Sequence, residues 1–197
     1  MQMKISFPLK THLLRRLPFY LLTAVLLPSL VTYGVLLRTN PKEEEIFSLF
    51  LEANVKDSKA LEGFVRENTS LQNKEINVYS SPSSLKTYSV LFQTQGLSSD
   101  LLILSESAFQ ASYASHFIEL NSSSPYFEES NKKVEEKHFG IELFNGETGY
   151  LTSLLEYKEK TKYYAFINKQ SVHASSFQKE GKTDQILTLL EAIHHEK

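Results

Sequence analysis

The chain has 197 residues, of which 41% are hydrophobic and 22% charged, with a formal net charge of −2 at neutral pH. This length accommodates one ordinary domain and an anchoring segment, but it excludes two full domains. Because the sequence contains no cysteine, it also excludes disulfide bonds, thiolate metal sites, a cysteine nucleophile and a lipid-carrying cysteine.

The charge is distributed unevenly along the chain. All residues before Pro41 are basic or uncharged, whereas the remainder has 16 basic residues against 23 acidic ones, a formal charge of −7. A domain of this charge repels nucleic acid, so we expect no nucleic-acid partner.

Residues 17–37, "LPFYLLTAVLLPSLVTYGVLL", form an apolar stretch of the length that crosses a bilayer as a helix. Arg15 and Arg16 precede it, so the positive-inside rule predicts a cytoplasmic tail (1–16), a transmembrane helix (17–37) and a tether (38–45). Residues 46–197 then form an extracytoplasmic domain, and the protein is a single-pass protein of the cell membrane. The alternative is a signal peptide cleaved near residue 34, which is disfavoured because the apolar run continues beyond that point.

Three strand-like segments occur in the first half of this domain. Residues 46–53, "IFSLFLEA", and residues 101–104, "LLIL", are nearly continuous apolar runs, which are typical of strands covered on both faces. Residues 75–80, "EINVYS", alternate apolar and polar side chains.

Helical patterns separate and follow these strands. The first covers residues 57–68 and begins at Asp57 or Ser58, and the second covers residues 81–96 with Ser81 as its cap. Aromatic residues at four-residue spacing predict a third helix over 109–117. This alternation predicts an α/β domain of three layers, αβα, with a mainly parallel sheet.

The second half of the domain has a different pattern. Residues 138–144 and 162–169 are strand-like, and Asn145 with Gly146 indicates a turn. The last apolar stripe, along residues 186–193, predicts a helix capped by Thr183 that packs on the sheet.

This order of elements resembles the first lobe of the extracellular solute-binding proteins of ABC importers, which have the type II periplasmic-binding fold. The resemblance depends on "IFSLFLEA", "INVYSSPSSLKTYSVLFQTQGLSSDLLILSES", "FGIELF" and "YYAFINKQSVH". It implies a ligand-binding lobe that works beside an ABC permease or a sensor protein. Members of that family close two lobes on a ligand, whereas this chain has the length of a single lobe and a predicted membrane anchor.

Polar side chains follow each of the three predicted parallel strands. Ligands of open α/β sheets bind at the carboxyl ends of such strands, and these hydroxyl, amide and carboxylate groups suit a sugar, an amine or a peptide backbone. The alternative is that each residue caps a helix or solvates a loop. The candidate ligand-binding residues are Asn54, Asp57, Ser80, Ser81, Ser105, Glu106 and Ser107.

No catalytic, metal or cofactor site is predicted. The adjacent His194 and His195 point about 100° apart on a helix and do not chelate one ion. The sequence has no G-x-S-x-G or H-E-x-x-H motif and no glycine-rich phosphate loop. Ser171 and Lys169 leave a serine peptidase as a formal alternative, but no oxyanion hole accompanies them.

The sequence therefore predicts a membrane-anchored, extracytoplasmic, non-enzymatic module that binds a small polar ligand or docks on a transporter or sensor. The alternative is a structural or interaction protein that another chain completes, without a small-molecule ligand. Asp100 lies at the opposite end of its strand from the predicted site, so we expect it to have a structural role.

Overall fold

The computed structural model describes residues 16, 18–32, 40–69, 75–128 and 131–196. The chain divides into two compact units, Met1–Pro41 and Lys42–Lys197. In the first unit residues 18–32 are helical. Residues 17 and 33–37 of the predicted span, together with nearly all of the predicted tail and residues 38 and 39 of the tether, lie outside the described residues.

Among the described residues, no helix combines the length and the apolar character needed to cross a membrane.

The second unit begins with a short 3-10 helix, Glu43–Glu45, which occupies the end of the predicted tether. A six-stranded sheet follows, in the order β3-β1-β4-β8-β6-β5, with a separate pair formed by β2 and β7. The strands are β1 (Ile46–Leu51), β2 (Asn54–Val55), β3 (Glu75–Ser80), β4 (Leu101–Ser105), β5 (Lys132–Val134), β6 (Lys137–Phe144), β7 (Leu155–Glu156) and β8 (Tyr163–Ile167). The helices are α1 (Ser58–Glu67), α2 (Tyr88–Thr94) and α3 (Gln185–His195).

The sheet is mixed. Strand β1 pairs in parallel with β3, with Ile46 opposite Glu75, and with β4, with Leu49 opposite Leu101. The pairs β4–β8, β8–β6 and β6–β5 are antiparallel. The predicted α/β class is thus confirmed. The prediction of a mainly parallel sheet holds only for the three neighbouring strands β3, β1 and β4.

Helices cover both faces of the sheet, as the three-layer prediction requires. On one face α1, through Leu61 and Val65, and α3 pack against a cluster of buried aliphatic side chains. On the other face α2 contributes Phe92 to an aromatic cluster around Phe50 and Phe166.

Strand β4 lies in the interior of the sheet between β1 and β8. The side chains of Leu101, Leu102, Ile103 and Leu104 are all fully buried. Alternate residues of β4 belong to the two clusters on opposite faces, so both faces need apolar side chains. The uninterrupted aliphatic run therefore has the cause predicted from the sequence.

The second helix begins later than the predicted range of 81–96. The N–H of Ser81 donates to the carbonyl of Leu51 at 2.9 Å, so the backbone at Ser81 continues the parallel ladder and does not cap a helix. The chain then turns, with a hydrogen bond from the N–H of Leu85 to Pro82, and α2 begins only at Tyr88.

The predicted helix over residues 109–117 is also wrong. A 3-10 helix, Ala111–His116, lies within that range, and Phe117 is extended and bridges to Asn168. Phe109 stacks on Phe166 with ring centroids 4.6 Å apart. The aromatic spacing thus reflects separate core contacts and not one helical face. The residue before the first turn of helix α3 is Asp184, one residue after the predicted Thr183, and its side chain makes no capping hydrogen bond.

Candidate functional site

The carboxyl ends of β3, β1 and β4 meet at one edge of the sheet because these three strands are parallel. The chain passes from β1 to β3 on one side and then returns across β1 to β4 on the other. Such a change of direction leaves a crevice outside the carboxyl end of the shared strand, here β1.

A cavity of about 320 Å³ lies at this edge. It is lined by residues 52–54 after β1, residues 82–84 after β3, residues 156–158 at β7 and Tyr163 in β8. We call this cavity the Glu52 crevice, after the charged residue that immediately follows β1.

Glu52 is only 3% exposed. Its backbone N–H donates to the carbonyl of Ile103, and its carboxylate Oε2 accepts the N–H of Ser105 at 2.6 Å. These two bonds fix the carboxylate between the ends of β1 and β4. Among the described residues, no group donates a hydrogen bond to the other oxygen, Oε1, and no cationic side chain forms an ion pair with Glu52.

The charge of this carboxylate acts on two tyrosine side chains, Tyr163 and Tyr88. The hydroxyl of Tyr163 accepts the N–H of Lys158 at 3.3 Å. Burial raises the pKa of Tyr163, the bond from Lys158 opposes that shift, and the negative charge of Glu52 adds to it. Burial and then the charge of Glu52 also raise the pKa of Tyr88. Both phenols therefore stay protonated beside the carboxylate.

Three buried hydroxyl groups near this edge have no hydrogen-bond partner among the described residues. They are the hydroxyls of Ser81, Tyr88 and Tyr157. Buried polar groups in folded proteins are nearly always paired, so each of these hydroxyls is available to pair with a bound molecule or an ordered water. Burial, followed by interactions with Tyr163 and Glu196, raises the pKa of Tyr157, which keeps this hydroxyl a potential donor.

Three of the seven residues predicted from the sequence lie at or beside the Glu52 crevice. Asn54 lines it and donates from Nδ2 to Oε2 of Glu156 at 3.4 Å. Ser80 donates from its hydroxyl to the carbonyl of Ala53, a lining residue, at 2.8 Å. Ser81, directly before the lining segment 82–84, is 1% exposed.

The other four predicted residues are not among the crevice lining, although the backbone N–H of Ser105 donates to Glu52. Asp57 caps α1 by accepting two backbone N–H groups of its first turn, at 2.9 and 3.0 Å. The hydroxyls of Ser105 and Ser107 share a hydrogen bond of 3.0 Å in the turn after β4. Glu106 forms an ion pair with Lys132 at 2.9 Å.

Sequence reasoning missed Glu52, Tyr157 and Tyr163. The sequence predicts Glu52 as part of the apolar strand "IFSLFLEA", although it is the only charged residue in that run. A single carboxylate at the end of a doubly buried strand is the signal that identifies it. The two tyrosines come from a distant part of the chain, and no local pattern links them to β1.

No group of three or more histidine, aspartate or glutamate side chains within the described ranges is arranged to hold a metal ion. Comparison of the chain with protein-family models, with curated proteins and with solved structures finds no match.

Proposed function

We propose that the α/β domain binds a small polar ligand in the Glu52 crevice. The observation that carries the proposal is the state of Glu52, a carboxylate 3% exposed whose Oε1 accepts no hydrogen bond from the described residues. Oε1 is not one of the buried side-chain atoms that lack a partner, so it is open to the crevice and a ligand there can donate a hydrogen bond to it.

The chemistry of the crevice defines the class of ligand. The carboxylate of Glu52 accepts from hydroxyl or ammonium groups, and Asn54 and Glu156 at the mouth offer further acceptors. The rings of Tyr157 and Tyr163 provide flat apolar walls of the kind that pack against sugars or cations. The volume of about 320 Å³ lies at the lower end of the range of ligand cavities, which is about 300–1,000 Å³. We therefore propose a sugar-sized or smaller molecule that presents several hydrogen-bond donors.

Thermal unfolding of the full chain in the presence of a compound panel tests this proposal. The panel contains glucose and maltose as neutral polyols, ethanolamine and putrescine as amines, and triglycine as a peptide. At least one compound is expected to raise the midpoint, because a ligand at 100 times its Kd stabilises the folded state by about 2.7 kcal/mol.

The variant Glu52→Gln tests whether the compound that raises the thermal unfolding midpoint binds in the Glu52 crevice. It keeps the shape of the side chain and removes its charge, so the midpoint shift should fall to near zero. The matched control is Glu180→Gln, an exposed position far along the chain, which should retain the shift of the unmodified protein. A panel without any active compound, or a shift that survives Glu52→Gln, would refute the proposal.

The proposed role includes attachment to the outer face of a cell membrane and delivery of the ligand to a transporter or sensor, as in solute-binding proteins. The apolar residues 17–37 and the basic residues before them support this part. Protease added to intact cells that express the full chain should remove the α/β domain. Protection until the cells are lysed would contradict an external location.

A further inference from the structure

The two edges of the six-stranded sheet are built differently. Edge strand β5 has three residues, two of which are Lys132 and Lys133, and its pairing with β6 shifts register between them. Edge strand β3 has six residues, Glu75–Ser80, with no lysine, arginine or proline and a single charge at its first position. Short length, lysines and bulges are the devices that prevent edge strands from pairing with other chains. Strand β5 has all three, and β3 has none.

The hydrogen-bonding groups of β3 alternate between its two sides. The N–H of Ser81 donates to Leu51 in β1, so the odd-numbered residues of β3 turn their backbone groups towards β1. Ile76 and Val78 therefore turn their N–H and C=O groups away from the sheet. In the part of the chain that the structure describes, no strand pairs with that outer side.

The side chains of β3 are suited to pack against those of an additional strand beside it. Ile76 and Val78 lie half-buried on the face that α1 covers, and Tyr79 lies half-buried on the opposite face. A groove of about 310 Å³ runs beside the strand, between it and residues such as Glu62 of α1. A strand added at this edge would extend both apolar layers.

We propose that β3 pairs with β3 of a second copy of this chain, antiparallel and with the two-fold axis at Asn77. A two-fold axis perpendicular to the sheet keeps each face continuous, so only residues on the same face lie opposite each other. Ile76 then lies opposite Val78 of the partner subunit, and the outward N–H and C=O groups of these two residues form four hydrogen bonds across the axis.

Charge and side-chain type select this register. Ile76 and Val78 meet apolar partners, and Glu75 lies opposite Tyr79 of the partner subunit, so the two carboxylates are at opposite ends of the ribbon. Moving the axis to Val78 would instead place Ile76 opposite Ser80 of the partner subunit and leave a single apolar pair, Val78 opposite Val78 of the partner subunit. The interaction is independent of the Glu52 crevice, since no residue of Glu75–Ser80 lines that cavity.

Cysteine cross-linking tests the register directly, because the natural chain has no cysteine. In the proposed pair Asn77 faces Asn77 of the partner subunit at a non-hydrogen-bonded position. There the Cα atoms are about 4.5 Å apart, within the range that a disulfide spans. The full-length Asn77→Cys variant, purified in a mild detergent and oxidised with diamide, should form a disulfide-linked dimer. The control Lys133→Cys, exposed on edge β5, should form no disulfide-linked dimer under the same conditions.

A second variant tests the association without a covalent bond. Asn77→Lys places two ammonium groups opposite each other across the axis, where like charges destabilise pairing. Sedimentation of the full chain should show a dimer for the unmodified protein and a monomer for Asn77→Lys, with unchanged far-UV circular dichroism. A monomeric unmodified protein, the absence of the Asn77→Cys cross-link, or a dimer that survives Asn77→Lys would each overturn the proposal.

Discussion

The hydroxyl of Ser171 donates a hydrogen bond of 2.7 Å to Oδ1 of Asp100, and this bond joins the start of β4 to the segment that follows β8. The other oxygen, Oδ2, accepts both the backbone N–H and the hydroxyl of Ser48 in β1, each at 2.8 Å. Asp100 thus connects β1, β4 and β8 at the edge of the sheet where β1 and β4 begin, opposite the Glu52 crevice. Its structural role was predicted from its position in the sequence.

We expect Asp100→Ala to lower the free energy of unfolding by about 2–4 kcal/mol, because it removes three bonds to a charged acceptor and leaves the donors of Ser48 and Ser171 unpaired. Asp100→Asn, which keeps acceptor capacity at one oxygen, should cost less. Urea unfolding measures both, and the exposed substitution Glu180→Ala should stay within about 0.5 kcal/mol of the unmodified protein. An unchanged midpoint for Asp100→Ala would contradict this role.

The parallel half of the fold could be predicted because its signals are local. Each strand of β1, β3 and β4 carries its burial pattern in a single run, and the helix α1 has its cap at Asp57 as predicted. The antiparallel half could not be predicted in the same way. Strands β6 and β8 were recognised, but the pairing of β8 with β4 and of β6 with β8 depends on contacts between distant residues, such as the stacking of Phe109 on Phe166.

The candidate site, like the fold, could be predicted from the sequence only in part. Helix caps and ligand contacts use the same residue types at the same strand ends, so sequence alone could not separate Asp57, which caps α1, from Asn54, which lines the crevice. Tyr163 reaches the crevice because β8 pairs with β4, and Tyr157 reaches it because the preceding strand β7 pairs with β2. The sequence thus located the edge of the sheet where the Glu52 crevice lies, but not most of the side chains that line it.

Two glycines should respond in opposite ways to substitution by alanine. A Cβ atom at Gly140 in β6 would lie 2.7 Å from Cε1 of the buried Phe166, whereas one at Gly63 in α1 would have no neighbour within 4 Å. We expect Gly140→Ala to destabilise the protein by about 1–3 kcal/mol through overpacking. Gly63→Ala should stabilise it by about 0.5–1 kcal/mol, because alanine has the higher helix propensity. Denaturant midpoints of the two variants measured together would contradict this account if both moved in the same direction.

Alkaline pH should weaken the fold through Tyr164. Burial, followed by the negative charges of Glu106 and Glu142, raises the pKa of Tyr164 from 10.0 to about 12. Because the folded state holds the phenol proton more tightly, its contribution to stability is complete below pH 10.0 and is lost as the pH rises towards 12. Urea midpoints should therefore fall over this interval, and they should fall less steeply for Tyr164→Phe. Parallel curves for the two proteins would exclude Tyr164 as the cause.

Removing the charge of Glu52 should increase stability while it abolishes binding. In Glu52→Gln the amide oxygen still accepts the N–H of Ser105, but the charge of this residue, which is only 3% exposed, is gone. Without ligand, we expect the free energy of unfolding to stay equal or to rise by about 1–2 kcal/mol. Glu52→Leu should instead lower it by about 1–3 kcal/mol, because the buried N–H of Ser105 loses its acceptor. Urea unfolding of both variants separates the two effects, and a large destabilisation by Glu52→Gln would mean that the carboxylate stabilises the fold and is not held ready for a ligand.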